Sequence, residues 1–227
     1  MTPAALTLTA AAACLLLASA STARASVEAG EGDYLPNFDL NNLTDRAETL
    51  YNTMTEQAAE VDVDTAGANI AAFLAVLRSA EGTANAADPY RVCYAYRHTI
   101  DDLTDHPALT GEWRGERLSD AMCKNAGFGP GCVSTAAGAY QIIKPTWKTL
   151  KAALNLPDFG PASQDAAAVE LIRRRGALQD VSAGRFALAV GKCRNEWASL
   201  PGNYAKQGQR SMETLASWYQ QNGGLTA

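Results

Sequence analysis

A mainly helical α+β fold, with a small strand-bearing lobe between one long helix and a later group of helices, is predicted by three features of the chain. Ile70, Phe73, Leu74 and Leu77 recur at i, i+3, i+4 and i+7, the stripe of an amphipathic helix. Tyr90, Val92, Tyr94 and Tyr96 then alternate with Arg91, Cys93, Ala95 and Arg97, the period of a short strand. Beyond Tyr140 the helical spacing returns.

The elements follow in chain order. Residues 1–25 read as a signal peptide, because Ala10 to Ala18 is apolar but too short to span a membrane, and Ala23-Arg-Ala25 fits a small-x-small cleavage site before Ser26. Met1-Thr-Pro3 carries no Lys or Arg, which keeps a releasing membrane anchor open as the alternative. Residues 26–65 form an N-terminal extension. Its polar lead-in precedes one helix marked by Leu43, Ala47, Leu50, Met54 and Ala58, which either packs on the main domain or acts as a docking or self-inhibitory element. Residues 66–227 are one domain. Its first helix stops at Gly82, and later helices begin near Pro145, run from about Ser163 to Arg175, from about Arg185 to Ala198, and from about Ser211 to Gln221.

Composition narrows the function. With 227 residues, 47% hydrophobic and 19% charged, the chain is of ordinary globular make-up and long enough to fold without a metal. A net charge of −5 argues against nucleic-acid binding by a basic face. No cofactor or metal is expected, since there is no phosphate loop and the two histidines, His98 and His106, have no companions at zinc spacing. An exported chain, in the periplasm or outside the cell, favours disulfides. With Cys14 removed, Cys93, Cys123, Cys132 and Cys193 remain. Cys123 and Cys132 flank a turn-rich insert that a local bridge could close, whereas Cys193 shares a helical face with Phe186, Ala189, Val190 and Trp197. That leaves two readings for Cys193, a buried thiol or a second bridge to Cys93.

Glu81 carries the chemistry most directly. It sits in the last turn of the first helix, where the negative end of the dipole and an apolar setting both favour the protonated acid. A solvated surface glutamate is the ordinary alternative. The residues around it resemble the lytic transglycosylases of the lambda endolysin type, glycoside hydrolase family 104. The resemblance runs through Phe73-Leu-Ala-Val-Leu-Arg-Ser-Ala-Glu-Gly-Thr83, Asp105-His-Pro107, Ser134-Thr-Ala-Ala-Gly-Ala-Tyr-Gln141, Asp158-Phe-Gly-Pro-Ala-Ser-Gln-Asp165, Arg175-Gly-Ala-Leu178 and Trp197-Ala-Ser-Leu-Pro-Gly202. Six blocks in order are far more specific than any single one.

The resemblance implies a lysozyme-like fold, two lobes flanking a substrate cleft. It also implies peptidoglycan glycan strands as the substrate. A monomer with no stable membrane span after processing is expected. Glu81 would protonate the leaving oxygen of the MurNAc–GlcNAc β-1,4 bond, then act as base while the sugar's 6-hydroxyl closes a 1,6-anhydro ring. A hydrolytic muramidase and an inactive peptidoglycan-binding module are the alternatives; the first would need a second carboxylate, for which Asp88, Asp101, Asp102 and Asp105 are candidates. Substrate-binding candidates are Ser134, Thr135, Tyr140, Gln141, Tyr204 and Asp105. Ser134 and Thr135 either meet sugar hydroxyls or Glu81, or cap a turn; Tyr140 either lines the cleft or closes the core; Asp105 either binds or fixes its loop. Arg173, Arg174 and Arg175 read as surface cations at a helix C-terminus.

Overall fold

The computed structural model describes residues 63–203 and 208–227. The chain divides into two units, Met1–Asp64 and Thr65–Ala227, and the fold is that of the second. The cleavage site before Ser26, the helix expected at residues 43–58 and Tyr204 lie outside the described residues.

Helix α1, residues 63–80, is the central element. Phe73, Leu74 and Leu77 are buried as their spacing requires, and Ala72, Val76 and Ala80 are buried beside them. Apolar neighbours therefore cover more of the helix than a single stripe. Asn69, buried on the same helix, donates to the Ser182 carbonyl at 3.0 Å and accepts from the Leu225 amide at 2.8 Å. Both halves of its amide are used, so its burial leaves no unpaired group. The helix ends where Gly82 turns to φ 80°, a conformation open to glycine at little cost.

The region that follows departs from the predicted strand. Residues 90–97 form no extended strand: two 3-10 turns, Pro89–Arg91 and Tyr94–Tyr96, replace it, and isolated bridges from Val92 to Thr99 and from Cys93 to Ala137 are the extent of its β pairing. The alternation fails because Val92 and Cys93 are consecutive and both buried, and because Ala95 and Tyr96 turn left-handed, at φ 51° and 58°. The sheet lies later. Strand β1, Glu116–Arg117, pairs antiparallel with β2, Val133–Ser134, in the register Glu116 to Ser134 and Arg117 to Val133. Two short helices also occupy this lobe, α2 at Pro107–Thr110 and α3 at Asp120–Asn125. A disulfide joins Cys123 to Cys132 beneath the loop that returns to β2.

The second lobe is helical. Helix α4, Lys144–Leu154, buries Trp147 and Leu150; α5, Pro161–Arg174, buries Ala167, Ala168 and Ile172. Helix α6, Leu178–Ser182, is an element the sequence reading did not anticipate. Helix α7, Phe186–Cys193, is shorter than expected, because the chain turns after Cys193 and delivers the Trp197 indole N–H to the Tyr140 carbonyl at 3.1 Å. Helix α8, Met212–Gln221, is capped by the Ser211 hydroxyl, which accepts from the Thr214 amide.

Aromatic contacts tie these elements together, and through Phe73 they reach α1. Phe186 stacks on Tyr219 at 4.5 Å and meets Phe73 edge-on at 5.9 Å; Trp147 meets Phe159 edge-on at 4.7 Å. Truncating a ring so placed costs about 3–5 kcal/mol. Cys93 and Cys193 are buried free thiols, so the second bridge does not form. Burial pushes each thiol up to about 12, which keeps both protonated and unreactive.

Candidate active site

Glu81 occupies the first turn beyond α1. Its amide still donates to the Leu77 carbonyl at 2.9 Å, so the helical hydrogen-bond ladder fixes its backbone. Its side chain is partly buried, and burial pushes the carboxyl above the ordinary glutamate range. The Ser199 hydroxyl donates to Oε1 at 2.6 Å and opposes that rise in part. Ser199 is a residue the sequence reading missed. It lies within the Trp197 to Gly202 block, but nothing in a linear chain places it against a residue 118 positions earlier.

A buried turn sits behind the acid. The Thr83 hydroxyl donates to the Ala139 carbonyl at 2.7 Å, which ties the end of α1 to the segment 138–141. That segment is held from every side. Ala139 donates its amide to Gln164 Oε1 at 2.8 Å, and Tyr140 is 1% exposed, with its hydroxyl donating to Asp165 at 2.5 Å and accepting from Arg78 at 2.7 Å. Tyr140 therefore closes the core and does not present its ring to a ligand. Gly138, at φ 76°, is required by protein packing: a Cβ there would lie 2.1 Å from Gln164 Oε1. The Gln141 amide turns inward, donating to the Val92 and Gly138 carbonyls at 3.1 and 3.0 Å.

The remaining candidates hold the scaffold in the same way. Ser134 Oγ accepts from the Ala136 amide, and Thr135 Oγ1 accepts from the Lys144 amide at 3.0 Å; neither reaches Glu81. Burial would raise the Asp105 carboxyl, but Lys151 at 2.8 Å, the Trp147 indole at 2.7 Å and the His106 amide together hold it below its usual value. His106 is buried with Nε2 against the Ile142 carbonyl and Nδ1 accepting from Ala108, and burial lowers its pKa, so it is a neutral N-cap of α2. Arg173 and Arg174 bind Glu170, and Arg175 binds Glu196.

The other carboxylates near the first lobe are occupied or exposed. Asp88 accepts from the Tyr90 amide and pairs with Arg91; Asp102 accepts from the Thr104 amide; Asp101 is exposed. Glu112 accepts from the Asp101 and Asp102 amides and meets His98 at 2.6 Å. Burial and Ser199 account for the shift at Glu81, with no contribution from a second acid. A surface hollow lined by Pro145, Thr146, Leu171, Arg174, Arg175 and Glu196 includes none of these groups. Among the described residues no three His, Cys, Asp or Glu side chains gather to hold a metal ion.

A family model described as Endolysin matches residues 71–226. The endolysin of Escherichia phage P2 is 39% identical over 159 residues, covering 70% of this chain and 95% of that protein. The endolysin of Escherichia phage lambda is 34% identical over 153 residues, covering 67% and 90%. Among solved structures, bacteriophage lambda lysozyme complexed with a chitohexasaccharide superposes with a TM-score of 0.59 at 31% identity, covering 70% of this chain and 97% of that one. The lysozyme-like fold is thus shared.

Proposed function

The chain belongs to the endolysin family, and from that membership we propose that it is an exported peptidoglycan lytic transglycosylase with Glu81 as its general acid and then its base. One observation carries the reading: a helix-end glutamate whose carboxyl burial raises above the ordinary range, held by Ser199, with no second carboxylate acting on it. A site with a single acid suits a reaction in which the substrate supplies the rest.

The steps balance without water. Protonated Glu81 gives its proton to the glycosidic oxygen, and the C1–O bond breaks with its electron pair leaving on that oxygen. The 2-acetamido carbonyl oxygen stabilises C1. The Glu81 carboxylate then takes the proton of the 6-hydroxyl, O6 bonds to C1, and the acid is restored as the 1,6-anhydro ring closes. The lambda lysozyme complex with a chitohexasaccharide supports a glycan as the ligand. Hydrolysis is the second reading, since Glu81 is only partly buried and water can reach it. Digestion of peptidoglycan in 18O-labelled water separates them. The proposal expects no label at the new sugar end; label at C1 would establish hydrolysis.

Residues 1–25 are proposed as the export signal, 26–65 as an extension and 66–227 as the catalytic domain, working as a monomer without cofactor. Among the described residues no helix is long and apolar enough to cross a membrane. N-terminal sequencing of the exported protein is expected to begin at Ser26. A product that still carries Leu15 to Leu17 would favour the releasing anchor.

A further inference from the structure

Tyr96 is the one residue of the first lobe that combines backbone strain, an exposed ring and a direct bond to the segment bearing Glu81. It adopts φ 58° immediately after Ala95 at φ 51°, two successive non-glycine residues in the left-handed region. Residues other than glycine seldom adopt this region, and a bulky side chain there is a true outlier. The strain is held in place by its surroundings: the Tyr94 amide donates to the Ala136 carbonyl at 2.8 Å, and the Cys93 amide to the His98 carbonyl at 3.0 Å.

The result is a ring fixed at its tip and largely exposed. Tyr96 Oη donates to the Gly82 carbonyl at 2.5 Å, one residue beyond Glu81, while the side chain stays 55% exposed. A lone exposed tyrosine is ordinary on a protein surface. Two successive left-handed residues that tie an exposed aromatic to the backbone of the residue after the acid are not. Core packing does not explain it, because the ring is outside the core.

Building on the glycan-cleaving assignment of Glu81, we propose that Tyr96 is a sugar-binding platform, its ring receiving the apolar C–H face of an acetamido-pyranose next to the bond that is cut. An aromatic with an apolar body and a tethered polar tip suits that face. Because the ring is already ordered by the Gly82 bond and the turn, binding loses little further side-chain freedom.

The test uses the full chain in a Glu81→Gln background, which binds without cutting, and chitohexaose as probe in titration calorimetry. Tyr96→Phe keeps the ring and is expected to bind within about threefold of the parent. Tyr96→Gly is expected to bind about tenfold more weakly, with a melting temperature equal to or above the parent's, because glycine adopts φ 58° without strain. Equal affinity of the Gly and Phe variants would overturn the proposal, as would a fall in the melting temperature of Tyr96→Gly, which would make the ring structural. A Glu81→Gln parent that does not bind chitohexaose at all would remove the glycan reading itself, and the platform with it.

Discussion

Ser199 Oγ donates to Glu81 Oε1 at 2.6 Å, joining the segment that follows α7 to the end of α1 across 118 positions of sequence. The bond fixes one carboxyl oxygen, Oε1, at the end of α1. An acid held in this way is ordered before any substrate arrives.

Ser199→Ala removes a donor that favours the ionised carboxylate, so Glu81 is expected to keep its proton to still higher pH. The alkaline limb of the pH–rate profile should move up, while the fold persists. An unchanged limb would mean that Ser199 does not act on the acid during turnover.

Glu81→Gln is expected to lower turnover by about 10²–10⁴-fold, because an amide neither gives the proton nor takes it back. Stability should move the other way. Burial raises the folded-state pKa of Glu81 above its unfolded value, so the wild type is favoured below the unfolded pKa and loses that stability as pH rises through the folded one. At neutral pH and above, Glu81→Gln should therefore resist urea at least as well as the wild type. Full retained activity would remove Glu81 from the mechanism.

Gly138→Ala is expected to destabilise the domain by about 2–4 kcal/mol, since the new Cβ meets Gln164 Oε1 and the residue sits at positive φ. Urea denaturation measures this. A variant as stable as the wild type but defective in binding would return Gly138 to a ligand-facing role.

Much of the domain was legible in the chain. The α1 stripe, the Gly82 stop, α4, α5 and α8 each follow from local spacing and punctuation, which one segment can express by itself. Residues 90–97 mislead locally because alternating aromatic and polar side chains imitate a strand, while the actual conformation is imposed by the Gly82 carbonyl and the bridge to Ala137, both distant in sequence. For the same reason Glu81 was accessible to sequence reasoning and its partner Ser199 was not. Tyr140 stands open between cleft and core in the sequence because a Gly-x-Tyr-Gln turn suits either role; Arg78 and Asp165, brought in by α1 and α5, draw its hydroxyl into the core.

Mass analysis of the fragments released from purified peptidoglycan by the wild-type protein tests the single-acid mechanism most directly. An internal hydroxyl oriented beside C1 outcompetes water, so the muropeptides are predicted to end in 1,6-anhydro-MurNAc, each one water lighter than its hydrolysed counterpart. Fragments ending in reducing MurNAc would contradict the account and call for a second carboxylate near Glu81.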